Sequence, residues 1–278
     1  MKKILALVLA AVLVLSAVSA LAEEEKKTIR IMATPTPHVI ILEHAKDAVK
    51  ELGYELEIIE VTDYNIGNPA TAAGEADVNY FQHLPFLNMY NETVEDGEKL
   101  VAAFGVHCEP YGIYPGTKKD LSEIAPGDKI AVTNDPSNET RALLLLQDAG
   151  LITLPEGANP DMSLQKEDIV ETNGIEIFEM DAEKIPATLD DVAFAIINGN
   201  YVLEAGMTVR DDALFTEAES ITGQTYVNYL VVRPENVDAP WLKALEQALA
   251  TQEMKDFILQ NESFKGGVIP TFEVPAAE

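Results

Sequence analysis

The chain has 278 residues, enough for two domains of ordinary size. Apolar residues make up 47% and charged residues 24%, the mix of a folded protein, which excludes global disorder and fibrous repeats. Acidic residues outnumber basic ones 47 to 19, a net charge of −28 that repels phosphate backbones, so nucleic-acid binding is excluded, and that disfavours peripheral docking on anionic lipid.

Residues 1–22 read as an export signal. Lys2 and Lys3 make a basic start, residues 4–18 are apolar apart from Ser16, and Ala20-Leu21-Ala22 is a small-residue cleavage site ahead of Glu23-Glu24-Glu25-Lys26-Lys27. The apolar run is shorter than the ~20 residues that a spanning helix needs. No cysteine lies near the cleavage site. The mature chain is therefore expected to begin near Glu23, to carry no lipid anchor and to work outside the cytoplasm, periplasmic or extracellular. N-terminal sequencing of the exported protein checks this; an intact Met1 or a mass increment of acyl chains contradicts it.

Strand and helix periodicities alternate after the signal. Residues 28–33 place Ile29 and Ile31 on one face of a strand. Thr34-Pro35-Thr36-Pro37 breaks it, Pro37 suits a first helical turn, and Ile41, Ala45, Ala48 and Leu52 recur at helical spacing until Gly53. Strands at 56–61 and 76–80 frame a short helix near 69–74, and Pro85 opens a helix towards Tyr90. An extended segment at 100–114 contains Pro110 and Gly112. A buried-type strand at 129–132 leads to a helix over 141–149. Strands at 175–180 and 192–197 each run into helical stretches, 225–232 is a strand, and 241–249 and 254–259 close as helices.

This alternation argues for an α/β fold of mostly parallel sheets flanked by helices. Two sheets fit the length, with crossings in the extended segments 105–114 and 225–232. Lobe 1 is then 28–110 plus 229–270, lobe 2 is 111–228, and 271–278 is a flexible tail. A cleft between two lobes is a common ligand site, with hinge closure as its usual motion.

The sequence contains no Gly-rich phosphate loop, HExxH or GxSxG elbow, so neither an enzyme nor a cofactor is indicated. The lone cysteine, Cys108, cannot form an internal disulfide or a Cys-rich metal cluster. His38, His44, His83 and His107, with a carboxylate such as Glu109, would suit a zinc or manganese receptor. His38 and His44 face different sides of one helix, and the four histidines are not expected to converge.

Three strand ends carry better candidates. Tyr80, Phe81 and His83 follow a strand directly, where open α/β sheets face their ligand, and could wall an apolar side chain or pack in the core. At Thr133-Asn134-Asp135-Pro136-Ser137-Asn138-Glu139-Thr140-Arg141 a strand meets a helix. Ser137 or Asp135 can cap that helix, its free N–H groups attract anions, and Arg141 either binds a carboxylate or pairs with an acid of the chain. Asn198 leaves a buried strand for a turn, and Asn228 interrupts an apolar one, so each either meets a ligand or serves the turn or backbone.

Six segments occur in order: Thr62-Asp63-Tyr64, Asn79-Tyr80-Phe81-Gln82-His83, Val106-His107-Cys108-Glu109-Pro110, the segment from Asn134 through Arg141 to Leu143, Ile197-Asn198-Gly199-Asn200-Tyr201, and Tyr226-Val227-Asn228. With them the chain resembles the NlpA/MetQ family, substrate-binding proteins of methionine ABC transporters, over essentially all of its mature length. The resemblance implies a two-lobed periplasmic-binding-protein fold, type II-like, that clamps methionine and delivers it to a permease driven by an ATPase. It implies that Tyr64, Phe81 and His83 line the thioether pocket, that Arg141 holds the α-carboxylate and that Asn198 and Asn228 bond the head group, with Tyr80, Glu109 and Asn138 as further contacts. The chain departs from the family's pattern in lacking a lipobox cysteine, in Thr140 where glycine is common, in Cys108 where an aliphatic residue is usual, and at Asn68 and Pro69. Some relatives take other amino acids or a methionine dipeptide, and the residues alone do not choose methionine over leucine.

Overall fold

The computed structural model describes residues 27–218 and 223–275. The export signal expected at 1–22 lies outside the described residues, as do 276–278 of the expected tail. The strands form two sheets. The first holds β1 (Thr28–Ala33), β2 (Glu55–Glu60), β3 (Val78–His83), β4 (Val101–Cys108), β10 (Val227–Val232) and β11 (Ile269–Pro270), in the order β11-β4-β10-β3-β1-β2. The second holds β5 (Gly112–Pro115), β6 (Lys129–Thr133), β7 (Glu176–Met180), β8 (Phe194–Ile197) and β9 (Phe215–Thr216), in the order β7-β6-β8-β5-β9. The helices are α1 (Ile40–Glu51), α2 (Tyr64–Ala72), α3 (Leu84–Thr93), α4 (Pro136–Asp148), α5 (Gly199–Glu204), α6 (Val209–Asp212), α7 (Pro240–Leu249) and α8 (Gln252–Gln260). Among the described residues no helix is long and apolar enough to cross a membrane.

The two sequence periods explain the layers. Ile29, Ile31 and Ala33 alternate along β1 and meet Ile41, Leu42, Ala45 and Val49 of α1 and Trp241, Leu242 and Leu245 of α7 in one core. Met32 points the other way, to Ala70 of α2 and Ala76. β8 is buried throughout: Phe194 and Ile196 enter one cluster, Ala195 and Ile197 another, so both faces of the second sheet are covered. Gly53, in the left-handed region at φ 92°, ends the turn after α1, as its position in the sequence predicts.

The sheets are mixed, not mostly parallel. β1 runs parallel to β2 and β3, and β6 to β7 and β8. β10 is antiparallel to β3 and β4, β11 to β4, and β5 to β8 and β9. The reason lies in the crossings. The segment 100–114 is two strands, β4 in the first sheet and β5 in the second, joined by residues 109–111. A strand that has just crossed enters its sheet at the end where the βαβ strands finish, and so runs against them. β10 pairs in the first sheet from Val227 onward, with Asn228 opposite His83 and His107, ahead of the boundary expected at 229. The tail expected to be loose from Thr271 is docked at its start: the Thr271 N–H donates to Val106 O at 3.0 Å, and buried Phe272 meets Phe104 with ring centroids 6.1 Å apart.

Candidate ligand-binding site

β1, β3, β6 and β8 all end facing the gap between the sheets, and a cavity of about 380 Å³, mouth included, lies there. β3 supplies one wall. Its register with β10 passes from Gln82 opposite Tyr229 directly to Tyr80 opposite Leu230, which leaves Phe81 as the extra residue of a bulge. The bulge turns Phe81, Gln82 and His83 to the cavity and leaves Tyr80 on the core side. The Phe81 ring leans against α2, where a Cβ on Gly67 would stand 2.2 Å from its Cε1, so only glycine admits it. Asp63 caps α2 by accepting the Asn65 N–H at 2.8 Å, which sets Tyr64 at the cavity with its ring stacked 5.8 Å from Phe81. Phe86 of α3 closes this aromatic wall edge-on, 5.8 Å from Phe81.

The second sheet supplies the polar wall. Asp135 caps α4 by accepting the Asn138 N–H at 3.0 Å, and the i, i+3 spacing puts Asn138 and Arg141 on one face. Arg141 is buried between Tyr111 and Tyr226, its guanidinium 4.5 and 3.9 Å from their ring centres. Its Nε donates to Glu217 Oε2 at 2.9 Å, and its Nη2 donates to Glu217 Oε1 and to Glu109 O. Burial opposes the charge of Arg141, and Glu217 outweighs that, so its pKa is raised.

Side chains of the two lobes meet across the cavity. His83 Nδ1 accepts the Phe86 N–H at 3.3 Å, which puts the ring proton on Nε2, 3.0 Å from Asn138 Oδ1. The same oxygen accepts from Asn198 Nδ2 at 2.9 Å. Tyr64 O–H donates to Asn200 Oδ1 at 2.5 Å, and Tyr201 O–H to Thr62 O. Glu109, in the crossing, touches both sides. Its carboxylate packs on Gly199, where a Cβ would lie 2.5 Å from Oε2, and Oε1 accepts from His107 Nε2 at 2.8 Å. Burial pushes Glu109 up to about 7 against the pull of His38 and Arg141. Burial likewise lowers His38, His83 and His107 to about 3, so all three rings are neutral at physiological pH.

Tyr64, Phe81, His83, Glu109, Asn138, Arg141, Asn198 and Asn228 thus come together on one cavity. Tyr80 does not line it; fully buried in the lobe 1 core, it reaches the site only through its hydroxyl on His107 Nδ1. The histidines, expected to stay apart, converge in part. His38 and His107 meet Glu109, their donor atoms all within 4.8 Å, the one such group among the described residues. His44 instead stacks on Phe257 at the outer face. The convergence arises over Tyr80 of β3: His38, from the turn after β1, and His107, near the end of β4, both pack their rings against the Tyr80 ring. Sequence reasoning missed Phe86, Asn200 and Glu217. Asn200 carried a signal, three residues beyond a buried strand; Glu217 carried none, its partner being 76 residues away.

A neutral buried His83 makes stability fall in acid. The unfolded chain takes up the proton below about 6.5 and the folded chain only near 3, so the contribution is intact above 6.5 and fades below it. His83→Gln should therefore gain on the parent by up to about 1.4 kcal/mol per pH unit below 6.5. Urea melts from pH 7 to 4.5 check this; a constant difference between the two proteins contradicts it.

Comparison with known proteins places the arrangement. The NlpA lipoprotein family profile matches residues 29–272. The methionine-binding lipoprotein MetQ of Bacillus subtilis is 36% identical over 256 residues, covering 91% of each chain. The D-methionine-binding lipoprotein MetQ of Escherichia coli is 35% identical over 227 residues, 81% of this chain and 80% of that one. A nutrient binding protein from Burkholderia cenocepacia, solved bound to methionine, superposes with a TM-score of 0.82 at 36% identity, covering 88% of this chain and 100% of that one. The two-lobed architecture of mixed sheets is that of these substrate-binding proteins, and the chain belongs to the NlpA lipoprotein family.

Proposed function

We propose that the protein is the extracytoplasmic receptor of an ABC importer, holding methionine, of either hand, or a close amino-acid or dipeptide relative between its lobes and passing it to a membrane permease and its ATPase. The observation that carries this reading is one cavity that joins a guanidinium and a single carboxyl group to an aromatic wall: Arg141 and Glu109 beside Tyr64, Phe81 and Phe86. A zwitterion with an apolar side chain complements that set. Glu217 and Glu109 O occupy Nε and Nη2 of Arg141, so Nη1 is the nitrogen for the ligand carboxylate. Glu109, the one acid on the wall, takes the ammonium, Asn198 and Asn228 bond the head group, and the thioether lies against Tyr64, Phe81 and His83. Asn138 spends its oxygen on His83 and Asn198, and its amide hydrogens on Asp135, so its part is to hold the walls together. The relatives named for methionine binding support the same ligand.

Closure follows from the division of contacts: only when the lobes meet do both walls touch the ligand. Methionine should reduce the radius of gyration in small-angle scattering. It should also raise the melting temperature, by linkage worth about 2.7 kcal/mol at a hundredfold excess over Kd. Mass spectrometry of ligand carried through mild purification identifies the natural occupant. A protein that neither compacts nor gains stability with methionine, and that carries another small molecule, overturns the assignment.

A further inference from the structure

The inner end of the cavity has a second chemistry, which shares Glu109 and Asn228 with the methionine reading but is carried by different neighbours. His38 Nε2 and His107 Nε2 both face Glu109 Oε1, at 3.7 and 2.8 Å. Tetrahedral zinc, with bonds of about 2.0–2.2 Å, sets its donors about 3.3 Å apart, between these two separations. The three donor atoms all lie within 4.8 Å of one another, so modest ring rotations gather them on one ion. Asn228 Oδ1, 3.2 Å from His38 Nε2, stands by as a fourth donor. All four residues are nine-tenths buried or more.

The far side of each imidazole is also arranged. His38 Nδ1 lies 2.7 Å from Thr34 Oγ1, and His107 Nδ1 meets the Tyr80 hydroxyl. A hydroxyl either donates or accepts. Each histidine can therefore place its proton on Nδ1, bond it to that oxygen, and free Nε2 for a metal, the outer support that metal-ligating histidines typically have. Two imidazoles with a carboxylate and an amide oxygen suit a divalent transition ion. Glu109 and Asn228 line the cavity, which supplies the entry path. We propose that His38, His107 and Glu109, with Asn228, form a binding site for a divalent transition-metal ion of the zinc class, and that Thr34 and Tyr80 are its positioning residues.

Zinc itself is the probe. Chelator-stripped full-length protein, dialysed against zinc, should retain about one ion per chain, and cobalt(II) should give the visible band of a four-coordinate nitrogen–oxygen site. His38→Gln and His107→Gln should lose retention. Tyr80→Phe keeps every ligand and should weaken zinc affinity by about 10–100-fold. His44→Gln, which alters the outer-face histidine beside Glu253, should bind zinc as the parent does. Absence of retained zinc in the folded parent overturns the site, as does undiminished retention in either glutamine variant with a native circular dichroism spectrum, or loss of zinc on His44→Gln. Should the glutamine variants fail to fold, an unchanged zinc affinity in Tyr80→Phe overturns it. Because Glu109 and Asn228 serve both sites, methionine is titrated into chelator-stripped, zinc-free protein and zinc retention is measured on a separate methionine-free sample: zinc retention with no methionine response in the zinc-free sample fells only the methionine assignment, and the converse fells only the metal site.

Discussion

Arg141→Ala is expected to weaken methionine binding by about 30- to several-thousand-fold, the factor for losing 2–5 kcal/mol of a buried charged partner. The guanidinium is also half of a buried ion pair, so the same change takes the countercharge from buried Glu217, which keeps the Tyr111 N–H at 3.0 Å, and should lower stability by about 3–5 kcal/mol. Loss of binding and loss of fold must therefore be separated. Replacing both partners, as in Arg141→Met with Glu217→Leu, removes the buried charge and should return much of the melting temperature, because buried ion pairs exchange for apolar side chains at little net cost. Binding should not return with it. Isothermal titration alongside thermal melts reads both quantities, and a double variant that melts and binds like the parent removes Arg141 from the site.

Phe81→Ala should have the second largest effect. The ring is buried between Gly67 and Tyr64, and truncating a buried aromatic costs about 3–5 kcal/mol in a core, less where water refills the space. Here the lost area belongs to both the protein and the ligand, so affinity and stability should fall together. His83→Ala should cost less affinity, since the ring gives the cavity only part of its surface and spends both nitrogens on Asn138 and Phe86. Gly67→Ala tests the wall from behind: with 2.2 Å between the new Cβ and Phe81 Cε1, the ring must move into the cavity and methionine affinity must drop. If Phe81→Ala and His83→Ala both titrate like the parent, the apolar wall lies elsewhere.

Much of this was legible in the chain because it depends on local rules. Period-two and period-3.6 patterns mark β1, α1 and α7, proline and glycine punctuate them, and strand ends in an α/β sheet point at the ligand, which is why Phe81, His83, Arg141, Asn198 and Asn228 stand out before any coordinates. The resemblance to the family added Tyr64, Glu109 and Asn138.

What the chain alone left open depends on contacts between distant segments. Tyr80 and Phe81 are adjacent aromatics, and only the register of β10 against β3 decides that a bulge sends Phe81 to the cavity and leaves Tyr80 in the core. Arg141 near a helix start reads as an anion site, yet its fork partner Glu217 lies 76 residues on, beyond any local pattern. The direction of β5 and β10 follows from where the chain re-enters each sheet after crossing, which no periodicity records. The meeting of His38 and His107 at Glu109 has the same origin: the turn after β1 and the end of β4 are far apart in sequence and separated by two strands in the sheet, and their rings, 4.9 Å apart, meet over Tyr80 of β3. Sequence by itself determined the elements and the candidate residues, because propensity and spacing act over a few residues; the tertiary structure decided which side chains share the cavity and in what state of charge, because burial and pairing are properties of the assembled sheets.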